Sequence, residues 1–329
     1  MQWNEIVGHN ENIKRLRTLL KSERMPHALL FTGPAGIGKM LVASTLAAAA
    51  LCSSAEQTPC GVCQSCRSIA SHSHPDLLTV RTDGTTIKIE QIRQLQSELA
   101  FAPYLGTRRV CIIEDAERMT AQAANSILKT LEEPQGSILF ILVSASRQLL
   151  LETIISRCLA VAFQPLPQEI LIQALCAKGF AESQAAVAAR LSGGKMGKAL
   201  TLLEPEGLVK RDQAAELAAA LPQSEMKFVW STATVFDKFE RRDFLSLLEY
   251  LSLILRDMLM IVSRQDRRLL FNIDLEERLN TQAESWSEPA LIKALKEVTT
   301  CRQALQANAN PRLTGEALLI KLRDLAGGG

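Results

Sequence analysis

Residues 33–39 read Gly33-Pro34-Ala35-Gly36-Ile37-Gly38-Lys39, and they follow a short apolar run that ends at Thr32. The apolar run predicts a buried strand, and the residues from Lys39 to Leu51 predict a helix. Glycines between a strand and a helix let backbone N–H groups point into a phosphate, and the helix N-terminus adds its positive end. The stretch therefore predicts a phosphate-binding loop rather than a chance glycine-rich turn.

The residue after the loop lysine departs from the pattern of a nucleotide hydrolase. Such enzymes place Ser or Thr there to ligate magnesium, and this chain has Met40. A thioether is a poor ligand for a hard cation, so we expect weak Mg²⁺ binding. Because magnesium neutralises charge in the transition state, residues 33–40 are expected to bind ATP or ADP but not to support fast hydrolysis.

A second acidic motif ends the run from Arg109 to Glu114, which predicts another buried strand. Hydrolases carry Asp here for magnesium, followed by Glu for the attacking water, whereas this chain has Glu114 and then Asp115. Each side chain is one methylene wrong for its role, and reaction geometry is sensitive to about 1 Å. We expect a degenerate catalytic pair, with a solvated acidic strand end as the alternative.

Strand-like and helical patterns alternate through the first half of the chain. Further helices are predicted at 10–20, 87–99 and 121–131, and further buried strands at 77–80 and 138–143. Short apolar strands alternating with helices predict an α/β fold with a parallel sheet covered on both faces. From about residue 165 onward we find only helical patterns.

Three domains are expected, because the predicted secondary structure changes near residue 165 from alternating strands and helices to helices only. They are a nucleotide-binding domain at 1–164, a small helical lid at 165–205 and an all-helical domain at 206–329.

Four of the eight cysteines cluster, namely Cys52, Cys60, Cys63 and Cys66. In a reducing compartment such a cluster favours metal binding over disulfides. Four thiolates suit a tetrahedral Zn²⁺ with no open position, so the metal would be structural, and an iron–sulfur cluster is the chemical alternative. The nearby His72 and His74 are expected to be surface residues.

The overall composition excludes some classes of protein. The 329 residues carry a formal net charge of +2, which does not fit a protein that coats nucleic acid. The longest apolar stretch, 40–52, is too short to span a bilayer, and the N-terminus lacks the layout of a signal peptide. We expect a cytoplasmic protein with no membrane partner.

Several motifs together resemble bacterial clamp-loader subunits of the AAA+ family. Besides the phosphate loop and the cysteine cluster, they are residues 3–9, 125–134, 153–158 and 308–312. The resemblance implies an AAA+ domain with a zinc module at the cysteine cluster, a helical lid, and an all-helical collar domain for oligomerisation.

The resemblance also assigns residues to roles. In this family the Ser156-Arg157-Cys158 motif supplies an arginine finger to ATP held by a neighbouring subunit. Ser144 stands where the family places its sensor-1 residue, although a serine capping a turn is an equal interpretation. Gly197, with Lys198 beside it, stands where an ATPase subunit carries a sensor-2 arginine.

Two branches of the family share these motifs, the ATP-hydrolysing gamma/tau branch and the delta-prime branch. Met40, Glu114 and Asp115 favour delta-prime, and a gamma/tau-type motor subunit is the alternative. The resemblance implies a component of the DNA polymerase III holoenzyme, a DNA-directed DNA polymerase. Its partners would be gamma/tau and delta and, through the complex, the beta sliding clamp and primed DNA. A stand-alone helicase lacks support, given the near-neutral charge and Met40.

Overall fold

The structure, a computed structural model, describes residues 2–22, 25–54, 58–134, 136–236 and 239–326. The chain divides into two compact units, residues 1–179 with 193–198 and residues 180–192 with 199–329. The first unit contains the predicted nucleotide-binding domain and the second contains the predicted collar domain. The predicted lid has residues in both units, and the division into three domains stays a prediction.

The first unit is built around a parallel sheet of five strands. The strands are β1 (Ala28–Thr32), β2 (Leu77–Val80), β3 (Arg109–Ile113), β4 (Ile138–Ser144) and β5 (Leu159–Ala162), in the order β2-β3-β4-β1-β5. Since β1 lies between β4 and β5, Thr32 is the register partner of both Ser144 and Ala162. The carboxyl ends of these three strands therefore meet at one edge, where ligands bind in open α/β sheets.

The helices follow the strands in the alternating order that the sequence predicts. In chain order they are α1 (Asn10–Lys21), α2 (Lys39–Leu51), α3 (Gln64–Ala70), α4 (Ile89–Leu99), α5 (Ala121–Glu132), α6 (Glu152–Ile155), α7 (Gln168–Ala177), α8 (Glu182–Ser192), α9 (Met196–Leu202), α10 (Val209–Ala220), α11 (Met226–Phe236), α12 (Arg241–Val262), α13 (Glu276–Ala283), α14 (Glu288–Gln306) and α15 (Pro311–Ala326). Within the described residues every strand precedes residue 165, as expected.

Both faces of the sheet are covered, which confirms the predicted layered α/β fold. Alternate residues of each strand point to opposite faces, so one strand contributes to two cores. In β4, Phe140 packs with α4 and α5 on one face, whereas Ile141 packs with α1 and α2 on the other. Both side chains are fully buried. The continuous apolar character of the strands follows from this burial on two sides.

Three short elements were not predicted from the sequence. β5 and α6 have four residues each, too few for a periodic pattern to stand out. α3 lies among the clustered cysteines, whose spacing dominates that segment. The helix predicted at 87–99 begins at Ile89, because Ile87 is instead bridged to Met119.

The second unit is helical throughout its described residues, with α12 packed against both α10 and α14. Apolar residues of α12 recur every three or four positions, and Phe244, Leu251 and Met258 are all buried. α15 can lie close to α11 because Gly315 has no side chain. A Cβ at Gly315 would lie 2.4 Å from the ring of Phe236, the last residue of α11. Among the described residues, no helix combines the length and apolar character needed to cross a membrane.

A buried carboxylate fixes the loop that follows α12. Asp257 is fully buried and accepts hydrogen bonds from the backbone N–H of Phe271 at 3.1 Å and of Asn272 at 2.8 Å. The Asn272 amide donates to the same carboxylate at 2.8 Å, and the Arg256 guanidinium pairs with it at 3.0 Å. A buried charge must be paired in this way to be tolerated.

Replacing Asp257 with Ala should lower the free energy of unfolding by about 3 kcal/mol, since the buried donors around it would lose their acceptor. Denaturant unfolding of the full chain would measure the loss. The matched control is Asp324→Ala, because Asp324 forms an exposed pair with Arg323 and should cost about 1 kcal/mol or less. Equal midpoints for the two variants would contradict the role given to Asp257.

Candidate functional site

The glycines of the phosphate loop adopt backbone conformations that other residues avoid. Gly33, Gly36 and Gly38 have φ angles of 144°, 79° and 103°. Gly33 also has no room for a side chain, because a Cβ there would lie 2.4 Å from the carbonyl oxygen of Phe163. The loop runs from β1 into α2, which is the context expected of a phosphate-binding loop.

Lys39 is buried at the start of α2, with 7% of its surface exposed. Its ammonium donates to the carbonyl oxygens of Gly33 at 2.5 Å and Pro34 at 2.8 Å, so it is held over the loop. Burial lowers the pKa of Lys39, and the negative charges of Glu117 and Asp115 oppose this shift.

Two further segments brace the loop. His9 contacts the carbonyl oxygen of Ile37 through Nε2 at 2.9 Å. The backbone N–H of Gly197, at the predicted sensor-2 position, donates to the carbonyl oxygen of Gly36 at 2.9 Å. A Cβ at Gly197 would lie 3.3 Å from that oxygen. The lack of a side chain at Gly197 thus allows its backbone to lie close to the backbone of the phosphate loop at Gly36.

Met40 is partly buried and packs against the apolar core on the α1 and α2 face of the sheet. The position where a nucleotide hydrolase carries a magnesium-binding hydroxyl therefore contributes here to packing. A thioether offers little to a hard cation, so the loop retains groups for phosphate but lacks one for magnesium.

The two acidic residues that follow β3 pair with different arginines. The carboxylate of Glu114 pairs with Arg81, with 3.0 Å between Oε2 and Nε. Asp115 has a φ of 49° and pairs with Arg118 at 3.5 Å. The negative charge of Asp115, like that of Glu117, opposes the lowering of the Lys39 pKa by burial.

Glu117 is a site residue that the sequence reasoning did not single out. Its Oε1 accepts a hydrogen bond from the backbone N–H of Ala145 at 3.0 Å, which ties the acidic motif to the end of β4. Its Oε2 is buried and has no hydrogen-bond partner among the described residues. The available signal was its position as the third carboxylate of the motif, two residues after Asp115.

Ser144 is the last residue of β4 and is 1% exposed. Its hydroxyl donates to the carbonyl oxygen of Ser146 at 2.9 Å, and the backbone N–H of Ser146 lies 3.3 Å from the same hydroxyl oxygen. The hydroxyl is thus engaged in a local turn beside Thr32 of β1, and the sensor-1 role stays a prediction.

Arg157 lies just after α6, and its side chain is 29% exposed. Its Nε donates to Oε1 of Glu132 at 2.7 Å, and Nη2 donates to the same oxygen. Nη1 donates to the carbonyl oxygen of Thr153 at 2.8 Å and to the Ser156 hydroxyl at 3.2 Å. The guanidinium is thus held at the surface by its own chain.

The four clustered cysteines converge as expected. The sulfur atoms of Cys52, Cys60, Cys63 and Cys66 all lie within 4.8 Å of one another. The Cys52–Cys63 separation is 3.9 Å and the Cys60–Cys66 separation is 4.0 Å. A tetrahedral ion with Zn–S bonds of about 2.3 Å requires about 3.8 Å between sulfur atoms. The arrangement therefore fits a tetrahedral metal ion.

The thiols of this cluster differ in their acidity. Burial raises the pKa of Cys66 to about 12. Burial also acts to raise the pKa of Cys63, but N–H donation from Cys66 and Ser53 outweighs it and holds the value at about 6. Backbone N–H groups that point at a sulfur favour the thiolate, which is the form that binds a metal.

The two histidines near the cluster differ from each other. His72 is exposed, as expected. The expectation that His74 is also a surface residue was wrong, since it is 6% exposed. Its Nδ1 accepts a hydrogen bond from the backbone N–H of Asp76 at 3.0 Å, which turns the ring inward. Neither histidine belongs to the group of converging metal-binding atoms found among the described residues.

Comparison with known proteins finds two matching family models. Residues 8–167 match the model described as DNA polymerase III, delta subunit, and residues 212–324 match DNA polymerase III, delta subunit, C terminal. A solved structure from Thermotoga maritima, a DNA polymerase III gamma subunit-related protein, aligns with a TM-score of 0.51 and 21% identity. The alignment covers 95% of this chain and 98% of that one, which shows a shared fold.

Curated relatives extend the match to the whole chain. DNA polymerase III subunit delta' of Pseudomonas aeruginosa is 36% identical over 58% of this chain and 59% of that protein. The tau subunit of Escherichia coli is 36% identical over 47% of this chain and 24% of its own length. Subunit delta' of Bacillus subtilis is 30% identical over 98% of this chain and 99% of its own length. Because that similarity runs from end to end, the chain belongs to the DNA polymerase III delta-prime family of clamp-loader subunits.

Proposed function

We propose that this chain assembles with gamma/tau and delta subunits and helps to load the beta sliding clamp onto primed DNA. Its contribution to ATP hydrolysis is Arg157, offered to the nucleotide of an adjacent gamma/tau subunit. The observation that carries the proposal is the surface position of the Arg157 guanidinium just after α6. Its own nucleotide site has Met40 where magnesium would need a hydroxyl.

The chemistry of the guanidinium suits this role. It is planar, always charged, and presents a fixed fork of N–H donors that matches the oxygens of a phosphate. Charge spreads over the phosphoryl oxygens during transfer, and an arginine from a neighbouring chain stabilises it there. Such fingers raise hydrolysis by about 10³- to 10⁵-fold in other nucleotide hydrolases.

The chain's own loop would hold ATP or ADP without rapid turnover. The loop N–H groups and Lys39 supply the phosphate contacts. The pairing of Glu114 with Arg81 supports the idea that this carboxylate has a structural partner instead of a metal. Nucleotide in this site would stabilise the fold and the assembly.

The cysteine cluster is proposed to bind a structural Zn²⁺. Four thiolates complete a tetrahedral shell, so no position remains for a substrate or a reactive water. The cluster runs from Cys52, just after α2, to Cys66 within α3, so the metal would tie these two helices together.

An ATP-hydrolysing motor of the gamma/tau type is the alternative function. The glycine conformations of the loop and the position of Lys39 favour it, because both are compatible with bound nucleotide. Turnover by the chain itself decides between the two functions.

Replacing Arg157 with Ala should lower ATP hydrolysis by the assembled complex at least tenfold, since the transition-state charge would lose its donor. Steady-state hydrolysis by a complex reconstituted with gamma/tau and delta would measure the change. Arg157→Lys should recover little, because an ammonium cannot reproduce the fork. Arg147→Ala, at an exposed arginine of the same unit, is the matched control. An undiminished rate for Arg157→Ala would rule out the finger.

The isolated chain should turn over ATP more slowly than about one per second. Met40→Thr should raise this rate little, because Glu114 is still paired with Arg81. A phosphate-release assay would measure both rates, with nucleotide binding measured separately. Rapid turnover by the unmodified chain would favour the motor alternative.

The purified chain should contain about one zinc ion, given four thiolate ligands per site. Cys63→Ser should lose most of the metal, because a serine hydroxyl binds zinc much more weakly than a cysteine thiolate does. Elemental analysis would measure the content. Cys176→Ser is the control, since Cys176 lies in α7 outside the cluster. Equal zinc in both variants, or iron in place of zinc, would contradict the proposal.

A further inference from the structure

The Arg157 guanidinium already has an anionic partner within its own chain. Its Nε and Nη2 atoms both donate to Oε1 of Glu132, with 2.7 Å from Nε to that oxygen. Nε and Nη2 form one edge of the guanidinium fork, and this edge is one that phosphates and carboxylates commonly take. Glu132 thus occupies a phosphate-binding edge of the arginine.

The pair lies where the ends of two helices meet. Glu132 is the last residue of α5, and Thr153, whose carbonyl oxygen accepts from Nη1, belongs to α6. The C-terminal end of a helix carries partial negative charge, so it disfavours a carboxylate and favours a cation. Without Arg157, the negative charge of Glu132 at this helix end would be unfavourable. The positive charge of the guanidinium offsets both the charge of the carboxylate and the partial charge of the helix end.

We propose that Glu132 is a positioning residue that holds Arg157 in a resting state and competes with the incoming phosphate of ATP. This inference rests on the proposed finger role of Arg157. To reach a neighbouring nucleotide through the Nε–Nη2 edge, the guanidinium exchanges one carboxylate oxygen for phosphate oxygens. The Nη1 bonds to Thr153 and Ser156 keep the base of the guanidinium in place during this exchange.

The exposure of the pair fits an interaction that can be broken. The side chains of Arg157 and Glu132 are 29% and 47% exposed. Solvent screens an ion pair of this kind and leaves it weak. A terminal phosphate carries more negative charge than one carboxylate, so it displaces Glu132 when a triphosphate lies close to Arg157. The same exposure allows Glu132 to be replaced without removing a buried group.

The test is a double-mutant cycle in the assembled complex. Glu132→Gln keeps the shape of the side chain and removes its charge. It should raise steady-state ATP hydrolysis roughly two- to fivefold, the range to which an exposed ion pair corresponds. The rise should shrink as salt is added, because salt screens the pair. In the Arg157→Ala background, Glu132→Gln should have no effect.

Glu133→Gln is the matched control, because Glu133 is the adjacent exposed carboxylate and forms no ion pair with any other residue in the described parts of the chain. It should leave hydrolysis unchanged. Thermal unfolding of the two Gln variants should coincide, which separates an effect on the finger from an effect on folding.

The outcomes separate the two proposals. If Arg157→Ala slows the complex but Glu132→Gln does not accelerate it, the competing role of Glu132 is wrong and the finger stands. An acceleration that persists in the Arg157→Ala background means that Glu132 acts through another group, which also overturns the inference. If Arg157→Ala has no effect, the finger is wrong and the inference falls with it.

Discussion

The pairing of β1 with a parallel strand on each side is the constraint on which the site depends. Thr32, the last residue of β1, is in register with Ser144 of β4 and Ala162 of β5. The backbone N–H of Phe163 donates to the Thr32 carbonyl oxygen at 2.7 Å, and Phe163 in turn leaves no room for a side chain at Gly33. A slip of one residue in β1 would turn its buried side chains to the wrong faces and move the phosphate loop away from these neighbours.

Electrostatic pairing within the chain then determines what each functional group can do. Glu114 is paired with Arg81, so the carboxylate in the first position of the acidic motif has a protein partner. The charges of Glu117 and Asp115 instead oppose the lowering of the Lys39 pKa by burial. The chain thus has the residues of a nucleotide-binding site, but its acidic side chains interact with basic residues of the same chain. This arrangement supports the proposed use of the fold for binding and assembly.

The fold was largely predictable from the sequence because its strands are apolar on both faces and its glycines mark the turn after β1. The convergence of the four cysteines was also predictable, since their spacing lets the sulfur atoms meet. What could not be predicted depends on particular side-chain contacts, one of them local and one between neighbouring strands. His74 is buried and accepts a hydrogen bond from the backbone N–H of Asp76 in a turn, and Glu114 pairs with Arg81, which follows β2. β5 is too short for its pattern to be distinguished from a loop.

Two of the arginine–carboxylate pairs in the first unit are chemically alike but have different consequences. Arg81 and Glu114 follow adjacent strands, and their pairing gives an acidic side chain of the motif a partner within the protein. Arg157 and Glu132 lie at the ends of α6 and α5, and their pairing holds a donor at the surface. A helix end tolerates the loss of one exposed pair, because solvent can take over the freed groups. Both pairs are partly exposed, so solvent weakens each of them. What distinguishes the pair at the helix ends is that its arginine already presents the Nε–Nη2 edge of its guanidinium to an anion, which is an edge that a phosphate also takes.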